Sequence, residues 1–312
     1  MPGTDPAEAM RVIVGELPEF PHLPELPARG PGADLTGRTA ALLIDMPAEV
    51  TPRGWRLTER PGRDLTRAKS MLSADLDILE EQLHDYHGPV KIQLAGPWTL
   101  AATLELTRTM NMALSDPGAV ADLAASLAEA ASQHVKDVAK RLPYAQIITQ
   151  FDEPVLTAVA EGTIPTASGM SRLAAIEDEP LRERLSQVLD AVPGYTIVHC
   201  CATAVRFEIM RKAGANGVSF DLSQLRRGEV DAVAEAADSG MGLFVGVDGE
   251  ARESAERVVQ LWRRMGIPAG ADQTVITPSC GLAGASPEQA RAALARCHEA
   301  GRILPEMIGE RE

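Results

Sequence analysis

Tyr195-Thr196-Ile197-Val198-His199, Gly217-Val218-Ser219-Phe220 and Gly242-Leu243-Phe244-Val245-Gly246 are three short β-rich runs. Between them, Val205 to Ala213 and Glu229 to Ala237 carry helical spacing and stop near Gly214 and Gly240. Strands joined through helices with short connections predict parallel neighbours in one sheet. The same alternation extends outward in both directions. Pro89 to Pro97, Gln146 to Phe151 and Thr274 to Thr277 read as strands, and another is expected at His22–Leu26. Helices are expected over Asp64–Tyr86, from Asp116-Pro117 to Leu142, and over Leu173–Val192, Glu253–Met265 and Pro287–Ala300, the last ended at Gly301. Val12–Val14 reads as the middle of a helix beginning at Pro6. The pattern predicts an α/β fold, a (βα)8 TIM barrel lacking or truncated at its first strand, as one catalytic domain over residues 1–312. An open doubly wound sheet is the alternative, but no Gly-x-Gly-x-x-Gly turn follows any strand.

Composition is that of a globular chain, with 45% hydrophobic and 24% charged residues among 312. The formal net charge of −14 repels phosphate backbones and anionic membrane surfaces. Arg226–Arg227 and Arg263–Arg264 are the longest basic clusters, too short for a nucleic-acid patch. With no apolar run of membrane-spanning length and no signal-peptide pattern, no nucleic-acid or membrane partner is expected, and the location expected is cytoplasmic. Four cysteines (Cys200, Cys201, Cys280, Cys297) are too few for a disulfide scaffold, leaving thiol or metal chemistry against inert packing.

His199-Cys200-Cys201 ends a predicted strand. Side chains alternate there, so His199 and Cys201 share one face and Cys200 takes the other. Cys280 follows a second strand end, in Thr277-Pro278-Ser279-Cys280-Gly281. All strand C-termini of a barrel open onto one mouth. One imidazole and two thiols converging there suit a zinc site with an open position, with Asp221 able to supply a fourth, oxygen ligand. The plain alternative is core packing, since free cysteine is among the most buried residue types. Cys297 and Cys200 are read as packing. In Gln150-Phe151-Asp152-Glu153-Pro154, Asp152 shares a face with Gln150 and can receive an ammonium group, or it is a helix cap. Gly96-Pro97-Trp98-Thr99 reads as a turn into a helix, and Arg29-Gly30-Pro31-Gly32 as a solvated loop or an anion contact.

Taken in order, these segments resemble the cobalamin-independent methionine synthase family. Gln150 to Leu156 is similar to its Gln-Ile-Asp-Glu-Pro-Ala-Leu signature, and His199-Cys200-Cys201 to its His-x-Cys. Ser219-Phe220-Asp221 is similar to its Ser-Ile-Glu, Pro278 to Leu282 to its Pro-Asp-Cys-Gly-Leu, and Gly96 to Leu100 to its Gly-Pro-Val-Thr-Leu. The likeness is to the C-terminal catalytic barrel alone. It implies a zinc-dependent methyltransferase that makes methionine from homocysteine, with zinc on His199, Cys201, Asp221 and Cys280. It also implies that Asp152 holds the substrate amino group, with Gln150 beside it.

Three departures shape the expectation. Asp221 stands where the family has the longer Glu. The family's Ile-Gly-Ser-x-Pro strand end would fall just before Pro2-Gly3. Where the family carries a proton-donating His, this chain reads Asp248-Gly249-Glu250-Ala251, which leaves Asp248 as the candidate acid. The methyl donor expected is therefore a methyl-folate or a methyl-corrinoid, the latter free or on a corrinoid protein. The rivals are a related barrel acting on another thiol, or in corrinoid methyl transfer, and a catalytically silent barrel that binds zinc or a thiol.

Overall fold

The computed structural model describes residues 1–109, 111–267 and 270–309. In chain order its strands are β1 (Ala48–Thr51), β2 (Gly54–Leu57), β3 (Pro89–Ala95), β4 (Leu104–Glu105), β5 (Gln146–Asp152), β6 (Tyr195–Cys200), β7 (Gly217–Asp221), β8 (Gly242–Gly246) and β9 (Thr274–Thr277). Six of them form one parallel sheet in the order β3-β5-β6-β7-β8-β9. Neighbours in space are thus successive strands in sequence, as right-handed strand–helix–strand units require. Side chains from all six line a common cavity, so the sheet is curled into a half-barrel.

The alternation along β3 shows how the residues divide. Val90, Ile92 and Leu94 are buried outward, while Lys91 and Gln93 point into the half-barrel. The outer apolar rows meet long amphipathic helices, Arg63–Leu83 and Pro117–Arg141 among them, whose buried stripes recur at helical spacing. Register levels the strand ends: Ala95 pairs with Asp152, Asp152 with His199, His199 with Ser219, and Asp221 with Gly246.

Several expectations change. The strand expected at His22–Leu26 is a single bridge, His22 to Lys91, held by Leu23 N–H to the Lys91 carbonyl and Lys91 N–H to that of Pro21. Pro21 and Pro24 lack the N–H that would extend it. The predicted closed eight-strand barrel is therefore, among the described residues, a six-strand half-barrel with one bridged segment beside β3. The last helix does not stop at Gly301. It runs Pro287–Gly309, because Ala300, Leu304 and Met307 continue its buried stripe. The helix expected from Leu173 begins at Asp178, since the Leu173 and Ile176 amides bond instead to the Ile164 and Val159 carbonyls.

A small second sheet, β1-β2-β4, was not foreseen. Its buried Glu105 is paired with Arg53 and Arg56. Arg29 is neither solvated nor free for an anion. It forms two hydrogen bonds to buried Asp75, at 2.8 and 2.6 Å.

Candidate active site

The half-barrel encloses a cavity of about 600 Å3 that opens at the C-terminal strand ends. Ordinary barrel interiors are filled by packed layers of branched apolar side chains. This one is lined by His22, Glu25, Lys91, Gln93 and Gln150 below, by Asp152, His199 and Ser219 level with one another above them, and by Cys201 and Cys280 nearer the mouth, with Phe20, Leu35, Phe244 and Leu282 adding apolar wall.

At the mouth, the Sγ atoms of Cys201 and Cys280 lie 3.9 Å apart although 79 residues separate them in sequence. The hydrogen bond from Cys201 brings Cys280 down to about 6, while the Cys201 thiol is pushed up. His199 precedes Cys201 by two residues on the same face, and its Nδ1 lies 2.9 Å from Ser219 Oγ. Burial, aided by the charge of Lys91, lowers His199 to about 4, so the ring is neutral at pH 7. A neutral imidazole anchored through Nδ1 is the form that ligates a metal through its other nitrogen. Asp221 ends β7 nearby, where its Oδ1 accepts the Ser223 amide. Cys200 faces away from the cavity and is fully buried.

The spacing of the cysteine pair suits zinc. Two thiolates about 2.3 Å from a tetrahedral zinc stand roughly 3.8 Å apart, close to the spacing here. Among the described residues, no group of three or more His, Cys, Asp and Glu closes around one point.

One step below, Asp152 is 8% exposed, and its Oδ1 accepts from Gln150 Nε2 at 2.7 Å. Gln150 Oε1 in turn accepts from Lys91 Nζ at 3.1 Å. Burial raises Asp152 to about 6, against the opposing pull of Lys91 and Gln150. Burial likewise raises Glu25, lowers Lys91, and lowers His22 to about 3. Sequence reasoning singled out none of Glu25, Lys91 or Gln93. The signal for the last two was present, since charged and amide side chains alternate with Val90, Ile92 and Leu94 in a strand.

Glu153 points the other way. It is fully buried and caps the helix Pro97–Thr103, accepting from Trp98 N–H at 2.9 Å, Thr99 N–H at 2.8 Å and Thr99 Oγ1 at 2.7 Å. Gly96 is required beside it, since a Cβ there would stand 2.3 Å from Glu153 Oε1. Of two consecutive carboxylates, one therefore serves the cavity and one holds a helix. Asp248, the candidate acid, is exposed and accepts from Ser279 Oγ at 2.5 Å.

Residues 38–302 match the sequence model of a family described as cobalamin-independent synthase, catalytic domain. The chain belongs to that family. No curated protein matches the chain. Among solved structures, this chain is similar to a mandelate oxidase variant with benzaldehyde, at 14% identity and a TM-score of 0.34, covering 90% of this chain and 87% of that one. It is also similar to mandelate oxidase with (S)-4-hydroxymandelic acid, at 13% identity and a TM-score of 0.33, covering 98% and 95%. The place of the chain in its family rests on the sequence match, not on these likenesses. Among the described residues no helix is long and apolar enough to cross a membrane.

Proposed function

We propose that this chain is a zinc-dependent methyltransferase that forms methionine by moving a methyl group onto the thiol of homocysteine. The half-barrel is read as the greater part of a (βα)8 catalytic barrel. The observation that carries the reading is the Cys201–Cys280 pair, 3.9 Å apart at the mouth of a charged cavity. His199, Cys201 and Cys280 would hold the zinc, with Asp221 as the oxygen ligand. Bound there, zinc would lower the pKa of a substrate thiol so that it reacts as thiolate near neutral pH.

The remaining residues bind and orient. Asp152 presents Oδ2 to the substrate ammonium, while Gln150 fixes Oδ1 through its amide. Glu25 adds a second carboxylate to the same wall. An arriving ammonium keeps Asp152 ionised by opposing the burial that raises its pKa. Ser219 holds His199 in one ring orientation.

For the methyl donor, a methyl-corrinoid is favoured over methyl-folate. A folate amine departs only when protonated, and Asp248 is exposed and tied to Ser279 rather than aimed as an acid. The test is methionine formation from homocysteine by zinc-loaded protein. Turnover that requires Cys280 supports the reading, and zinc-loaded protein inert with either donor contradicts it.

A further inference from the structure

We infer that Thr157 is a positioning residue for the metal site: its hydroxyl holds the turn that carries Cys201 in the conformation that sets this thiol beside Cys280. This role rests on the metal-site reading above and adds to it a residue that lies outside the cavity.

Two thiols from distant loops meet only if both loops are held, and the sheet holds little of the first one. The ladders flanking β6 run out here: the Glu153 amide donates to the His199 carbonyl at 2.7 Å, and Cys200 pairs with Phe220. Residues 201–204 belong to no strand or helix. Among the described residues, no backbone–backbone hydrogen bond reaches them. His199 is thus fixed within the sheet, whereas Cys201 stands on the first residue of an unsupported turn.

That turn also has an unfavourable backbone. Ala204 has a φ of +58°, and Asp45 is the only other non-glycine residue with positive φ among the described residues. In this left-handed region the Cβ of an L-residue crowds the following carbonyl, so alanine stays there only when its surroundings impose it. One hydrogen bond does so. Thr157 Oγ1 donates to the Ala204 carbonyl at 3.0 Å, across 47 residues of sequence. Among the described residues it is the sole hydrogen bond to the main chain of residues 201–204.

Thr157 suits the task. It sits in the short helix Leu156–Ala160 that follows β5, and it is 6% exposed, so water competes poorly for the carbonyl. It lies behind the cavity wall rather than on it, and so acts through Cys201 and not on a substrate. The connection after β5 therefore carries Asp152 toward the cavity and Thr157 behind the neighbouring turn. Without the bond, Ala204 relaxes to negative φ, the turn takes another path, and Cys201 Sγ leaves its place 3.9 Å from Cys280 Sγ.

The test is titration of the whole chain, stripped of metal, with cobalt(II), whose thiolate-to-metal charge-transfer absorption grows with the number of thiolates bound. Wild type should take up about one cobalt per chain with the intensity of two thiolates. Thr157→Val keeps the shape of the side chain and deletes the donor. It should bind cobalt about 10- to 100-fold more weakly, the usual cost of losing a group that orients a ligand, with the intensity falling toward that of one thiolate. Thr157→Ser restores the donor and should recover most of the affinity and both thiolates. Thermal melts check that the variants fold. Should Thr157→Val fail to fold, Ala204→Val decides the matter, because a β-branched residue resists positive φ and should cause the same loss from the other end of the bond. Wild-type affinity and two-thiolate intensity in folded Thr157→Val, or in Ala204→Val, would overturn the role of Thr157 and leave the metal site standing. Wild type without thiolate charge transfer would overturn the metal site and this role together.

Discussion

Replacing Glu153 by Ala removes three hydrogen bonds at once from the start of the helix Pro97–Thr103. The Trp98 and Thr99 amides belong to the first helical turn and have no partner within the helix. Both residues are 2% exposed, so water cannot readily replace the carboxylate. Leaving a buried donor unsatisfied costs about 1–3 kcal/mol, and two amides and a hydroxyl give a loss of about 3–5 kcal/mol after partial relaxation. Burial raises the Glu153 carboxyl to about 7 in the folded state, against the pull of Thr99 and Trp98. The folded protein therefore holds this proton to higher pH than the unfolded chain. Its contribution is complete below about pH 4.5 and drains away as the pH rises through 7. Urea unfolding of wild type and Glu153→Ala, followed by circular dichroism at pH 5 and pH 8, should show the larger gap at pH 5. The gap should narrow by on the order of 2 kcal/mol at pH 8. A loss below about 1 kcal/mol at pH 5, or a gap that widens with pH, would refute the assignment of Glu153 as a buried cap.

Three further outcomes are expected. Cys280→Ser should lose most of its zinc by elemental analysis, whereas Cys200→Ser, altered on the outward face, should keep about one zinc per chain. Equal loss in both would show that the faces of β6 are wrongly assigned. Asp152→Asn should weaken homocysteine binding by about 1.5–3 kcal/mol with zinc content unchanged, and unaltered affinity would remove Asp152 from the site. With homocysteine as acceptor, methylcobalamin should support methionine formation at least about tenfold faster than methyltetrahydrofolate, a barrier difference of about 1.4 kcal/mol. Faster turnover with the folate would point to Asp248 as the acid.

The parallel sheet was legible because each strand is a short β-rich run followed by a helical stripe, a purely local signal. Period 2 also separated His199 and Cys201, which line the cavity, from Cys200, which is buried behind them. What stayed hidden depends on pairing across the chain. Glu25 lies in a proline-rich stretch with no periodicity, and only its position beside β3 brings it into the cavity. Glu153 gave no hint of its role because the amides it caps are 54 and 55 residues away. The β1–β2 hairpin escaped because two strands of four residues carry little pattern, and their partner β4 is two residues long. Gly301 was misleading as a helix stop, since a glycine is tolerated where Ala300, Leu304 and Met307 keep the buried face continuous. Polar residues inside the sheet were the strongest site signal. Lys91 and Gln93 lie within β3 rather than at its end, where barrel chemistry is ordinarily found.

The central claim is that Cys201 and Cys280 hold a zinc to which the substrate thiol is added. X-ray absorption at the zinc edge of the purified protein, before and after homocysteine, tests it most directly. The account predicts about two sulfur neighbours near 2.3 Å without substrate and about three with it. Zinc with no sulfur neighbours, or a sulfur count unmoved by saturating homocysteine, would contradict it.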